Sequence, residues 1–157
     1  MAHSFETAFR EIEQSLFWVA MGYLRNTEDA RDAVQDAALS AYRAYQGLRH
    51  PEYFKTWMTR IVINTCRDQQ RRRQQTVELQ DDLGALEGIP EEELALFDAI
   101  CHLGVERARY LTLRYYHEMT YEEVARLLHQ PLSTVKYRTR RALEDLRLEW
   151  KGEEHDN

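Results

Sequence analysis

At 157 residues and 43% hydrophobic content the chain supports one domain or two small ones, and its three prolines and six glycines suit an all-helical fold. The formal charge of −6 argues against nucleic acid only as a total: residues 1–73 sum to +2, 74–100 to −8, 101–151 to +3 and 152–157 to −3. Lone cysteines (Cys66, Cys101), scattered histidines and an apolar run no longer than Leu16 to Leu24 exclude a disulfide framework, a spaced metal site and a membrane span.

From Ser4 onward, Phe5, Ala8, Phe9, Ile12, Leu16, Val19, Ala20 and Tyr23 recur at three- and four-residue intervals, which predicts an amphipathic helix. Asn26-Thr27 breaks it. Thr27 is the predicted cap of a second helix, Glu28 to about Gln46, with Gly47 as its C-terminal cap. Its inward stripe is Ala30, Ala33, Val34, Ala37, Ala41, Tyr42 and Tyr45, and its outer face carries Asp29, Asp32, Gln35 and Asp36. Complementing the helix dipole accounts for Asp29 but poorly for Asp36, more than two turns in. A docking patch for a basic partner accounts for both.

Pro51 fits the first turn of a third helix, with Phe54, Met58, Ile61, Val62 and Thr65 inward. Opposite them, Arg60, Asn64, Arg67 and Arg71 fall within about 60° of one another at 3.6 residues per turn. Three cations around one asparagine suit a nucleic-acid backbone with one hydrogen-bonding reader; an inconsequential solvated face is the alternative. Trp57, at the stripe's edge, is expected to pack in the core. Gln74 to Pro90, rich in acids and glycine, reads as a linker with a short helical piece around Leu83 to Leu86. Pro90 and Glu91, Glu92 and Glu93 then open a helix to about Leu103. After Gly104, Val105 to His117 predicts another, with Ala108, Leu111, Thr112 and Tyr115 inward.

The last stretch reads as a helix-turn-helix. Thr120 and Glu123 make a capping box, and Tyr121, Val124, Ala125 and Leu128 share one face. Pro131 is the expected stop and Ser133 the expected cap of the second helix, whose buried stripe is Val135, Thr139, Ala142, Leu143 and Leu146. Ser133, Lys136, Tyr137, Arg140, Glu144 and Arg147 point the other way, flanked by Arg138 and Arg141. The four cations from Lys136 to Arg141 occupy the half that enters a major groove. Lys136 and Arg140 are central enough to meet bases, and Arg138 and Arg141 suit phosphates. On this stretch alone, a helical hairpin with a solvated charged face is the other reading.

Both halves resemble one family, the extracytoplasmic-function sigma factors of bacteria, in the sigma-70 family. Asp29-Ala30-Arg31-Asp32-Ala33-Val34-Gln35-Asp36, Ala41-Tyr42, and Phe54-Lys55-Thr56-Trp57 through Arg60-Ile61-Val62-Ile63-Asn64 to Asp68 are similar to its region 2. Leu113-Arg114-Tyr115-Tyr116, Thr120-Tyr121-Glu122-Glu123-Val124-Ala125 and Ser133-Thr134-Val135-Lys136-Tyr137-Arg138 are similar to its region 4. The resemblance implies an all-α fold of two small helical domains: residues 1–73, an acidic linker 74–90, residues 91–151, and an acidic tail 152–157.

It also implies a subunit of RNA polymerase that directs the core enzyme to promoters and helps melt them, without catalytic activity, cofactor or metal. Asp29, Asp32, Gln35 and Asp36 would dock on the β′ clamp helices, and the second domain would meet the β flap. Arg60, Asn64, Arg67, Asp68 and Arg71 would meet the melted minus-ten strand. Ser133, Thr134, Lys136, Tyr137, Arg138, Arg140 and Arg141 would read the minus-thirty-five duplex. Promoter DNA and core polymerase are thus the implied partners, and many members also bind an anti-sigma factor. A cytoplasmic location without membrane insertion is expected. Tyr137 and Arg140 occupy variable positions, so no promoter sequence transfers, and His102-Leu103-Gly104-Val105 lacks the family's leucine-proline. The competing reading is a stand-alone helix-turn-helix regulator with an N-terminal dimerisation or sensing module.

Overall fold

The computed structural model describes residues 4–45, 50–74 and 90–155, and within them seven α-helices and no β-strand. The chain divides into two compact units, α1–α3 and α4–α7. The predicted C-terminal cap Gly47 and the helical piece at Leu83 to Leu86 lie outside the described residues.

In the first unit α1 (Phe5–Leu24), α2 (Thr27–Ala44) and α3 (Phe54–Gln74) pack as a bundle, α3 entered through a 3-10 turn at Pro51–Tyr53. Ser4 caps α1 by accepting from the Thr7 N–H at 3.2 Å. Arg25, in the left-handed region (φ 52), ends it. The cap of α2 is Asn26 rather than Thr27: Asn26 is extended, and its side chain accepts from the Asp29 N–H at 3.0 Å. Ala30, Ala33, Ala37 and Ala41 are all fully buried, so small side chains let α2 approach α1 and α3 closely.

Tyr42 is not inward. It stands on the rim, 62% exposed, with its ring centroid 5.6 Å from that of Phe5. Phe5, Tyr45, Phe54 and Trp57 form an aromatic cluster, with Trp57 half-buried against Phe54 and Tyr45 as expected. Cys66 is fully buried on α3, and burial pushes its thiol up to about 12.

The second unit comprises α4 (Glu91–His102), α5 (Val105–Leu111), α6 (Tyr121–Leu128) and α7 (Leu132–His155). Ile100, Leu103, Ala108, Leu111, Ala142 and Leu146 form its core. Gly104 (φ 96) adopts a conformation other residues avoid and separates α4 from α5. The predicted helix to His117 is α-helical only as far as Leu111. It continues as a π-helical segment, Thr112–Tyr116, in which the His117 N–H reaches back to the Thr112 carbonyl at 2.9 Å. The wider turn changes the angular step between successive residues, so Tyr115, expected inward, is 49% exposed.

Candidate nucleic-acid interface

The helix-turn-helix is built by local signals. The Glu123 N–H donates to Thr120 Oγ1 at 3.1 Å and the Thr120 N–H to Glu123 Oε1 at 3.0 Å, completing the capping box. α6 stops at His129, which turns left-handed (φ 55), before the chain reaches Pro131. The Pro131 carbonyl accepts from Val135 N–H at 3.1 Å, so α7 starts at Leu132 and Ser133 lies inside its first turn instead of capping it. Val135, Thr139 and Ala142 are buried as predicted. Opposite them Tyr137 is 65% exposed, Ser133, Arg140 and Arg141 are exposed, and Lys136 and Thr134 are half-buried.

Arg138 is held from behind. Its Nη1 donates to the Tyr110 hydroxyl at 3.0 Å, and that hydroxyl donates to Gln130 Oε1 at 2.8 Å in the turn. The Tyr110 side chain is buried, which raises its pKa, but the guanidinium donors of Arg138 and Arg109 outweigh burial and bring it below the usual tyrosine range. Arg107 of α5 reaches Asp145 at 2.9 Å, and Arg141 lies 3.9 Å from the other oxygen of that carboxylate. Tyr110 and Arg107 escaped the sequence reading because their partners, Arg138 and Asp145, lie 28 and 38 residues along the chain.

On α3, Asn64, Arg67, Asp68 and Arg71 line one open groove of about 620 Å³ with Gln70. Arg67 lies over the Tyr23 ring at 6.0 Å, Arg71 pairs with Asp68, and the Gln70 amide donates to the Tyr23 carbonyl. Arg60, expected on the same stripe, is half-buried and does not line the groove.

The acidic face of α2 divides in two. Asp32, Gln35 and Asp36 project from it, and the two aspartates carry no hydrogen bond or ion pair among the described residues. Asp29, predicted beside them, is instead 8% exposed and bound through both carboxylate oxygens by Arg73. Capping by Asn26 puts Asp29 in the first turn on the side facing α3. Arg73 lies about 200° around that helix from Arg71, so it meets α2 and not the groove. Asp29, Asp32 and Asp36 face Gln69, Arg72 and Arg73 across a cleft of about 380 Å³. The angular position of Arg73 was the available signal for this contact.

Among the described residues no cluster of His, Cys, Asp or Glu could hold a metal ion, and no helix is long and apolar enough to cross a membrane. Two family models match: Sigma-70 region 2 over residues 8–76 and Sigma-70, region 4 over residues 93–146. The ECF RNA polymerase sigma factor SigM of Mycobacterium tuberculosis is 32% identical over 89% of this chain and 74% of its own length. RNA polymerase sigma factor SigV of Bacillus subtilis is 27% identical over 91% of this chain and 89% of its own. Among solved structures, the sigma factor RpoE of Bartonella quintana, crystallised with the anti-sigma factor NepR, shares the fold. Its TM-score is 0.76 at 19% identity, covering 94% of this chain and 96% of that one. The two sigma-70 region models, in order along the chain, and the 32% identity to SigM place the chain among the extracytoplasmic-function sigma factors of the sigma-70 family.

Proposed function

We propose that this chain joins core RNA polymerase through Asp32, Gln35 and Asp36 of α2, aims it at promoters and assists their melting. Residues 1–73 act as the docking and minus-ten module, 74–90 as an acidic linker, 91–151 as the minus-thirty-five module and 152–157 as an acidic tail. Asn64, Arg67, Asp68 and Arg71, with Arg60 beside them, contact the melted strand. Ser133, Thr134, Lys136, Tyr137, Arg138, Arg140 and Arg141 serve the minus-thirty-five duplex. Asp29 supports docking indirectly, through its pair with Arg73. The β flap is the proposed seat of the second unit, an anti-sigma factor a further partner, and the cytoplasm the site of action. We assign no catalytic role.

The observation that carries this reading is the pair of bare carboxylates, Asp32 and Asp36, on one helix of a chain that also carries a basic recognition helix. The test is reconstitution: the full chain co-purifies with core polymerase, and Asp32→Lys/Asp36→Lys abolishes association at unchanged helicity and melting temperature. A double variant that associates at wild-type yield removes the docking assignment.

A further inference from the structure

Beside the recognition face, α5 and α7 enclose a cleft of about 290 Å³ whose lining includes Arg107, Tyr110, Tyr137, Arg138 and Arg141. Three guanidinium groups converge on it from two helices. Each is held by a named contact: Arg138 by the Tyr110 hydroxyl, Arg107 and Arg141 by opposite oxygens of Asp145. Glu106, also on the lining, is engaged by Arg109 at 3.0 Å. The cleft therefore keeps a positive excess.

Guanidinium offers five N–H donors in a planar fork. One bond to Tyr110 or to Asp145 leaves Arg138 and Arg107 with further N–H groups for a second acceptor. Such preoriented, multidentate donors suit a tetrahedral oxyanion. Tyr137 supplies the direction, since it lies both on the rim of this cleft and on the outward face of α7. A duplex engaged by Tyr137 and Arg140 would carry one sugar-phosphate strand past that rim.

We propose that Arg107, Arg138 and Arg141 form a seat for one backbone phosphate of duplex DNA, with Tyr110 as the positioning residue that aims Arg138. Arg107 lies outside the helix-turn-helix, so the seat extends the DNA contact onto α5. The inference rests on the reading of α7 as a DNA-reading helix. Asp145, between two of the arginines, sets their spacing and tempers their charge in the free protein.

The test uses holoenzyme and a duplex selected by the wild type from a randomised library, with affinity followed against salt. Each phosphate contact contributes about 0.9 to the slope of log K against log salt. Arg107→Gln, placed in an Asp145→Asn background so that no unpaired carboxylate repels DNA, lowers the slope by about that amount without altering sequence preference. Arg107→Lys, which keeps the charge, retains most of it. Tyr110→Phe weakens binding and flattens the slope without lowering the charge of the chain. An unchanged slope in Arg107→Gln overturns the seat, while a Lys136→Ala/Arg140→Ala control that loses sequence preference preserves the reading of α7. If that control keeps both preference and affinity, the reading and the seat fall together.

Discussion

In each unit, two like-charged residues on a single helix meet different fates. In the first unit Asp29 and Asp32 are one turn apart on α2, yet Asp29 is buried under Arg73 while Asp32 is bare. In the second, Arg138 and Arg140 are two residues, and so about 200°, apart on α7. Arg138 is drawn back to Tyr110, whereas Arg140 stays on the outer surface with its Nε 3.4 Å from the Lys136 carbonyl. Spacing along one helix says which residues share a face. What a neighbouring helix brings across to that face decides which charges are spent on structure and which remain for a partner.

The comparison breaks most visibly in the first unit. Arg73→Ala strips the partner from a nearly buried carboxylate and is expected to cost about 2–3 kcal/mol. That is at or below the roughly 3–5 kcal/mol of breaking a fully buried pair, because water reaches Arg73. Asp32→Ala, on the same acidic face, should stay within about 0.5 kcal/mol. Urea unfolding of the two variants measures the contrast, and equal midpoints would show that the Asp29 pair stabilises nothing.

On α7 the contrast appears in recognition. Arg140→Ala should cost about 1–3 kcal/mol of binding and relax preference at one promoter position. Arg141→Ala should weaken all sequences alike and flatten the salt slope. Matching specificity profiles on a randomised minus-thirty-five library would erase the distinction between central and flanking cations.

The smallest effect concerns Asn64, an amide beside two arginines in the α3 groove. If Asn64 meets an unstacked base as proposed, its loss should remove one or two hydrogen bonds, worth about 1 kcal/mol each. Asn64→Ala holoenzyme should bind linear duplex normally, show reduced permanganate reactivity near the start site and recover on a pre-melted template. Wild-type melting would make Asn64 part of a solvated helix face.

Features encoded within one or two turns were legible in the sequence: the helix start after Ser4, the Thr120–Glu123 box, the Gly104 break and the alanine stripe of α2. The Asp29–Arg73 pair spans 44 residues and the Arg138–Tyr110 bond 28, and no periodicity argument reaches across such distances. Two inward assignments failed for different reasons. Tyr42 sits at the edge of its stripe, where a large ring touches Phe5 and still meets water. Tyr115 lies within the π-helical segment, where a 3.6-residue count no longer holds. Asp32 and Asp36 of α2 and the outward side of α7 were visible from helical periodicity, whereas Asp29, read on the same face, is taken up by Arg73 of the neighbouring helix. The braces behind these faces were not visible.

The burial of Cys66 has a practical consequence for labelling chemistry. A thiol with its pKa near 12 has a thiolate fraction on the order of 10⁻⁵ at pH 7, and Cys101 is likewise enclosed. Maleimides attack the thiolate, so in the folded chain both native cysteines are poor targets. A cysteine introduced at an exposed position outside the proposed binding faces, such as that of Gln14 or Ala95, becomes the preferred point of attachment without removing either native thiol. Fluorophores placed in this way on each unit would report its arrival at polymerase or promoter in real time.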